Sequence, residues 1–234
     1  IVDNASPPGM ADWLRERDDC NVVLSHTAPN MSDNRSLWQR LRGQKLRGAG
    51  SYANAIGLEI ARHLIPPETQ YLMTLHMDTA PCRKGWLAFL MSKLHEGYAA
   101  SGVRRDTARV EQGILHVLGM LVDYQLMRQY NLDFFPDLPC YDVGDRVTAH
   151  FQAEGHRIYA CRNSLWQPEL LNLLPASSPL RDLHVDRAFD DDDNVIHLHL
   201  GRGVSKSNAE STKGATPKAW VTFAQRLLNE AADA

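Results

Sequence analysis

The stretch Tyr71-Leu72-Met73-Thr74-Leu75-His76-Met77-Asp78 decides the predicted fold. Its first five residues are mostly apolar and predict a short buried strand. The chain then turns polar at His76 and Asp78, just ahead of Thr79-Ala80-Pro81. A carboxylate at a strand end suits a hard divalent cation, which combines a few carboxylate oxygens with phosphate oxygens from a ligand. Asp78 is equally compatible with capping the helix that begins near Lys84.

Elements of alternating type surround this strand. Before it, Ser51–Leu64 carries apolar residues near helical spacing and stops at Pro66-Pro67. After it, Lys84–Leu94 predicts an amphipathic helix and Tyr98–Val103 predicts a strand. Such alternation is typical of an α/β fold with a mostly parallel sheet flanked by helices, and we expect that fold class here.

The second half of the chain is less regular. The run His116–Asp123 is compatible with either a strand or a buried helix, because periodicity alone does not separate the two. The four acids Asp190–Asp193 predict a solvated loop. The other elements that we expect are a helix at Val143–Glu154, strands at Arg157–Cys161 and Asn194–Leu200, and a last helix at Lys218–Ala232.

Composition excludes several classes of protein. The chain has 234 residues, of which 44% are hydrophobic and 23% charged, and this excludes a disordered or fibrous protein. A net charge of -3 argues against a general nucleic-acid binder. No apolar run approaches the length of a transmembrane helix. The four widely spaced cysteines indicate reduced thiols and a cytoplasmic location.

A basic segment lies within the polar stretch Thr27–Gly50, which we expect to be rich in loops. It contains the cations Arg35, Arg40, Arg42, Lys45 and Arg47. Trp38 within this stretch and Trp166 further along have polar neighbours, so both are candidates for substrate contact.

Two pairs of polar residues are further candidates. Asp3 and Asn4, with Ser6 close behind, follow an apolar start and suit hydrogen bonds to a base or ribose. The alternative is an Asx turn, in which these side chains bond nearby backbone groups. Asp142 and Asp145 flank the start of the helix at Val143–Glu154, where either is a candidate general base and either is also a favoured capping residue.

Two histidines share a strand near the end of the chain. His197 and His199 are separated by one residue, so on a strand both imidazoles point to one face and can reach one metal or one phosphate. Such a pair is also common as a packed, hydrogen-bonded feature. Gly201-Arg202-Gly203 and Lys206 follow and add positive charge suited to a pyrophosphate.

Five segments, taken in order, resemble motifs of family-2 glycosyltransferases with the GT-A fold. They are Val2-Asp3-Asn4-Ala5-Ser6, the run from Gly48 to Gly57, Tyr71–Pro81, Lys84-Gly85-Trp86-Leu87, and Tyr141–Asp145 with Gly155-His156-Arg157-Ile158. His76 stands where that family has the first acid of its DxD metal motif. His199 and His197 lie where such enzymes often carry a late histidine near the metal.

The resemblance implies a single GT-A-like, Rossmann-related domain over residues 1–200, on which residues 201–234 pack as a loop and a helix. The family's first strand would precede Ile1. It also implies inverting transfer of a sugar from a nucleotide-sugar donor to an unknown glycan, lipid-linked or protein acceptor, with Mn²⁺ or Mg²⁺. The implied roles are nucleotide-sugar binding by Asp3, Asn4, Ser6, Asn54, His76 and Asp78, metal binding by Asp78, His197 and His199, and base catalysis by Asp142 or Asp145.

Two alternatives remain open from the sequence. The first is a non-catalytic GT-A-like module that binds a glycan or a partner, which His76 and the expected lack of a first strand favour. The second is a metal-dependent hydrolase built on His197 and His199.

Overall fold

The structure is a computed structural model that describes residues 1–4, 6, 9, 11–25, 37–42, 49–104, 113–181, 183, 185–200 and 217–232. The chain divides into two compact units. The first comprises Ile1–Gln70 with Tyr124–His150, and the second comprises Tyr71–Asp123 with Phe151–Ala234. The domain boundary expected near residue 200 stays a prediction.

Nine strands and six α-helices make up the described part of the chain. The strands are β1 Val2–Asn4, β2 Val23–Ser25, β3 Tyr71–Leu75, β4 Thr79–Pro81, β5 Ala100–Arg104, β6 Leu115–Asp123, β7 Ile158–Asn163, β8 Asp186–Phe189 and β9 Val195–His199. The helices are α1 Leu37–Leu41, α2 Ala49–His63, α3 Trp86–His95, α4 Tyr124–Gln129, α5 Asp145–Ala153 and α6 Pro217–Ala232. Short 3₁₀ helices lie at Asp12–Glu16 and Pro168–Leu173.

The first unit holds a small parallel sheet and helix α2. Strand β1 pairs with β2 in parallel, and α2 packs against β1. Glu59 on α2 is buried, and its carboxylate accepts hydrogen bonds from the Arg62 guanidinium (2.8 Å) and from the Phe134 backbone N–H (2.9 Å). This buried charge is therefore paired, as a buried carboxylate requires, and it ties α2 to the loop that follows α4.

The second unit shows that the expected mostly parallel sheet is wrong. Its seven strands run in the order β3-β6-β5-β7-β8-β9-β4, and β5–β7 is the one parallel pair among them. Short connections join antiparallel neighbours, whereas parallel neighbours need a crossover of about a dozen residues or more. The run His116–Asp123, left ambiguous by periodicity, lies within strand β6, which pairs with β3 on one side and with β5 on the other.

The seven-stranded sheet curls until it is nearly barrel-shaped. Its two edge strands, β3 and β4, are consecutive in the chain and are separated only by His76, Met77 and Asp78. Across the interior, a Cβ placed on Gly119 of β6 would lie 3.3 Å from the His197 ring of β9. Glycine at 119 therefore permits the close approach of two strands that are not neighbours in the sheet.

Most expected elements are confirmed within a few residues at their ends. The strand Tyr71–Leu75 has the expected bounds, and the expected last helix is α6. Trp220 and Phe223 of α6 pack in a cluster with Leu198 and Leu200. The 3₁₀ helix at Asp12–Glu16 buries Leu14 and leaves Trp13 59% exposed. Among the described helices, none is both long enough and apolar enough to span a membrane.

Candidate functional site

The three residues that join the sheet edges form a tight, polar turn. The Thr79 N–H donates to the His76 carbonyl (3.2 Å), and the Thr79 hydroxyl donates to the same oxygen (2.6 Å). The segment Thr79-Ala80-Pro81 is strand β4 and not a loop. The capping alternative for Asp78 is wrong, because helix α3 begins after Gly85 without any side-chain cap.

The carboxylate of Asp78 lies between two imidazoles. Its Oδ1 is hydrogen-bonded to Nδ1 of His76 within the turn. Its Oδ2 lies 3.5 Å from Nε2 of His199, which is far away in the chain. The structure therefore brings together three residues that sequence analysis assigned to the donor and the metal.

Backbone pairing explains this meeting. Strand β9 lies between β8 and β4, with Thr79 opposite His199 on one side and Asp186 opposite it on the other. The N–H of Leu200 donates to the Asp78 carbonyl (2.9 Å), which extends the ladder by one bond. His199 is thus held beside Asp78 by strand register, with Nδ1 of its ring 3.0 Å from Oδ2 of Asp186.

The pKa values of this cluster follow from its pairing. Burial alone would raise the pKa of Asp78, but hydrogen bonds from His199 and His76 outweigh burial and hold that pKa well below its usual range. Burial alone would lower the pKa of His199, but hydrogen bonds with Asp186 and Asp78 and their charges raise it to about 9. At neutral pH His199 is therefore an imidazolium, with its two ring nitrogens toward Asp78 and Asp186.

The donor set fits a hard divalent cation only in part. Among the described residues, no three Asp, Glu, His or Cys side chains are arranged to hold a metal ion. Mg²⁺ and Mn²⁺ sites that also bind phosphates use one or two protein carboxylates and take their other oxygens from the ligand. Asp78 and neutral His199 would be the protein ligands in such a site, and His199 would first have to release a proton.

His197 has surroundings different from those of His199. It is 3% exposed, its ring centroid lies 6.5 Å from that of Trp86, and its Nε2 has no hydrogen-bond partner among the described residues. Burial lowers the pKa of His197 to about 4, so this imidazole is neutral. The His197 ring lies against Gly119 of β6, whereas the His199 ring lies beside Asp78 and Asp186.

The candidate nucleotide residues of the first unit bond to a neighbouring turn residue and to helix α2. Asp3 accepts from the Ser6 N–H (3.3 Å) and the Ser6 hydroxyl (2.5 Å), which is the expected Asx-type turn. The Asn4 amide donates to the Ala53 carbonyl (2.6 Å) on α2, next to Asn54. These bonds account for Asp3, Ser6 and the Asn4 amide N–H, while the buried Oδ1 of Asn4 has no hydrogen-bond partner among the described residues. The role of these residues toward a nucleotide stays a prediction.

Asp142 and Asp145 differ in exposure. Asp145 is 0% exposed, and its Oδ2 accepts from the Asp142 N–H (2.9 Å) at the start of α5. Asp142 is only half-buried, and its Oδ1 accepts from the Val143 N–H (2.8 Å). Both carboxylates organise the start of the helix, and of the two only Asp142 has an appreciable exposed surface.

Sequence analysis missed two residues of the cluster. Asp186 contacts His199 across the β8–β9 hairpin, and the ring of His116 lies 5.9 Å from that of His199. Asp186 lies on β8, outside the acidic run Asp190–Asp193, and no sequence pattern pointed to it. Interpreting Asp190–Asp193 wholly as a solvated loop was wrong, because Asp190 is buried and accepts from the Asn194 N–H (2.8 Å).

Other candidates have no established contacts with this cluster. Trp38 is exposed and Trp166 is half-buried. Gly201-Arg202-Gly203 and Lys206 lie outside the described residues.

Comparison with known proteins assigns no family to this chain, since no protein-family model, curated protein or solved structure matches it.

Proposed function

We propose that this chain transfers a sugar from a nucleotide-sugar donor to an acceptor hydroxyl, with inversion at the anomeric carbon. The donor's diphosphate is proposed to lie at Asp78 and His199, and the acceptor to be a glycan, a lipid-linked sugar or a protein. The resemblance of five ordered segments to family-2 glycosyltransferases is the reason for considering this reaction.

One observation carries the proposal. The resemblance assigned Asp78 and His199 to the same metal and diphosphate, although they are far apart in sequence. Their side chains lie 3.5 Å apart in the second unit. The Asp78 carboxylate suits a cation that bridges phosphates, and His199 would join it as a ligand only after releasing its proton.

The chain's own residues would then divide the chemistry. A bound Mg²⁺ or Mn²⁺ would supply positive charge that stabilises the departing diphosphate. His76 and Asp186 hold Asp78 and His199 in place through their hydrogen bonds. The resemblance implies that a carboxylate removes the acceptor's proton. Of its two candidates Asp142 is half-buried and Asp145 is buried at the start of α5, so Asp142 is the proposed base.

We also propose that the chain works in the cytoplasm. The four cysteines Cys20, Cys82, Cys140 and Cys161 are all free thiols, which supports a reducing compartment such as the cytoplasm.

The proposal is tested by binding first and by turnover second. Nucleoside diphosphates should raise the melting temperature of the native chain more with Mn²⁺ than without it, because a ligand that binds the native state stabilises it. A panel of nucleotide sugars is then screened for release of the nucleoside diphosphate. With the nucleotide sugar that supports turnover in this screen, Asp142→Asn should lower turnover by roughly 10²–10⁴-fold while diphosphate binding persists.

The control is Asp137→Asn, which removes a nearby carboxylate from the same loop region. It should leave turnover near the native rate. Turnover that survives Asp142→Asn would remove the assignment of the base. If no nucleoside diphosphate binds with or without Mn²⁺, the transferase proposal itself is refuted.

A second candidate is a non-catalytic module that binds a glycan or a partner. It is favoured by one observation, namely that the Asp78 carboxylate is already paired with His76 and His199. This candidate predicts that Mn²⁺ does not promote diphosphate binding and that no nucleotide sugar is turned over.

A further inference from the structure

Helix α1 of the first unit exposes three large apolar side chains. Leu37, Trp38 and Leu41 are 70%, 71% and 69% exposed. At about 100° per residue their positions fall within one arc of roughly 100° on the helix. Single exposed apolar residues are common on protein surfaces, but three that share one face of one short helix form a patch.

The apolar arc has cations on both sides. By the same helical geometry, positions 40 and 42 flank the arc, and both are arginines. Arg42 is exposed. In sequence the helix lies within a run from Asn34 to Leu58 that contains five cations and no acid, although the whole chain carries a net charge of -3. The local charge is therefore opposite in sign to that of the chain.

We propose that α1 binds the surface of an anionic lipid bilayer. Leu37, Trp38 and Leu41 enter the boundary between headgroups and acyl chains, and Arg42 contacts the anionic headgroups. Helices that lie in a membrane interface combine Trp and Leu on one face with Arg or Lys beside it. Tryptophan favours this depth because its ring is apolar while its N–H remains a hydrogen-bond donor.

The apolar face favours a lipid surface over a nucleic acid. A phosphate backbone attracts arginines just as well, but it offers nothing in which Leu37 and Leu41 can be buried. Burial of the two leucines and of Trp38 removes apolar surface from water and adds to the electrostatic attraction. This inference concerns the first unit alone and does not depend on the proposed transferase activity.

The test is sedimentation of the full chain with vesicles. The vesicles consist of phosphatidylcholine alone, or of phosphatidylcholine and phosphatidylserine in equal parts. The chain should bind the mixed vesicles and bind phosphatidylcholine at least tenfold more weakly, and added salt should weaken binding. The emission of Trp38, obtained as the difference between the native chain and Trp38→Phe, should shift to shorter wavelength on binding.

Two variants separate the apolar contribution to vesicle binding from the electrostatic one. Trp38→Ala should weaken binding to the mixed vesicles by roughly tenfold, and Arg42→Glu by at least about fivefold, since each cation near an anionic membrane contributes on the order of one such factor. Matched controls are Trp13→Ala and Arg15→Glu, which alter an exposed tryptophan and an exposed arginine on the 3₁₀ helix of the same unit. Both controls should bind as the native chain does.

Three results would overturn the proposal. They are failure of the native chain to bind the mixed vesicles, equal binding by Trp38→Ala and native chain, and equal binding to both kinds of vesicle. A DNA duplex serves as a competing polyanion. If the duplex binds more tightly than the mixed vesicles, and Trp38→Ala leaves both affinities unchanged, the basic run binds nucleic acid instead.

Discussion

The candidate residues of the first unit and those of the second unit differ in the kind of bond that holds them. In the first unit, Asp3 and Asn4 bond to Ser6 and to a helix carbonyl, as turn and packing residues do. In the second unit, Asp78 and His199 bond to each other and to further titratable side chains. A local turn accounts for Asp3 and Ser6, and one bond to helix α2 holds the Asn4 amide N–H, whereas the second pattern is a network of titratable side chains.

This difference between the two units indicates which of them holds the better candidate for a functional site. Polar residues that follow a strand are satisfied by short-range turns at little cost, and such turns are common. A half-buried carboxylate beside two imidazoles requires long-range strand pairing to form. Titratable groups with strongly shifted pKa values are enriched at functional sites, so the second unit offers the better candidate.

The largest expected effect is a pH dependence of stability that arises from His199. Its pKa is about 9 in the folded state and 6.5 when unfolded, so the folded chain binds more protons between these values. The stabilisation is fully present below pH 6.5 and is lost as pH rises through 9. It amounts to up to about 3 kcal/mol. Urea unfolding across this range should show the decline.

His199→Gln should flatten this dependence, whereas the exposed His63→Gln should retain it. A native chain whose stability stays constant from pH 6.5 to 9 would show that His199 is not held by the two carboxylates.

The next effect concerns Asp78. Asp78→Asn keeps the shape of the side chain but removes its charge, so Mn²⁺-dependent binding of a nucleoside diphosphate should weaken by about 100-fold, or about 2.7 kcal/mol. Calorimetric titration measures this affinity. The exposed Asp192→Asn of the same unit serves as the control and should bind normally. Equal affinity in both variants would separate Asp78 from any metal role.

A smaller effect is expected for Asp186, which contacts His199 and not Asp78. Partners of a metal-binding histidine typically change affinity by about 10–100-fold when mutated, and we expect Asp186→Asn near the lower end. Its distinguishing readout is the titration of His199 followed by NMR, whose midpoint should move down from about 9. An unmoved midpoint would contradict a positioning role for Asp186.

The smallest effects are expected in the first unit. Asp145→Ala removes a carboxylate that accepts from the Asp142 N–H, and it should cost about 1 kcal/mol of stability. Asp3→Ala removes a surface turn and should cost about 0.5 kcal/mol. Thermal unfolding measures both changes. A larger loss of diphosphate binding in Asp3→Ala than in Asp78→Asn would reverse the comparison between the two units.

Sequence patterns alone determined the types and approximate positions of many elements, but not the type of the run His116–Asp123. The apolar run at Tyr71–Leu75 became a strand, and the helical spacing of Ser51–Leu64 became α2. These elements follow from short-range properties, since backbone preference and apolar periodicity extend over only a few residues. Asp78 at the end of its strand was identifiable for the same reason.

Only the tertiary structure decided the direction of the strands and the membership of the charged cluster. Alternation of elements suggested parallel pairing, but five of the six strand pairings in the seven-stranded sheet are antiparallel. The meeting of Asp78, His199 and Asp186 depends on the register of the β8–β9 hairpin and on the pairing of β4 with β9. Pairing between distant segments depends on long-range packing, which no local pattern in the sequence encodes.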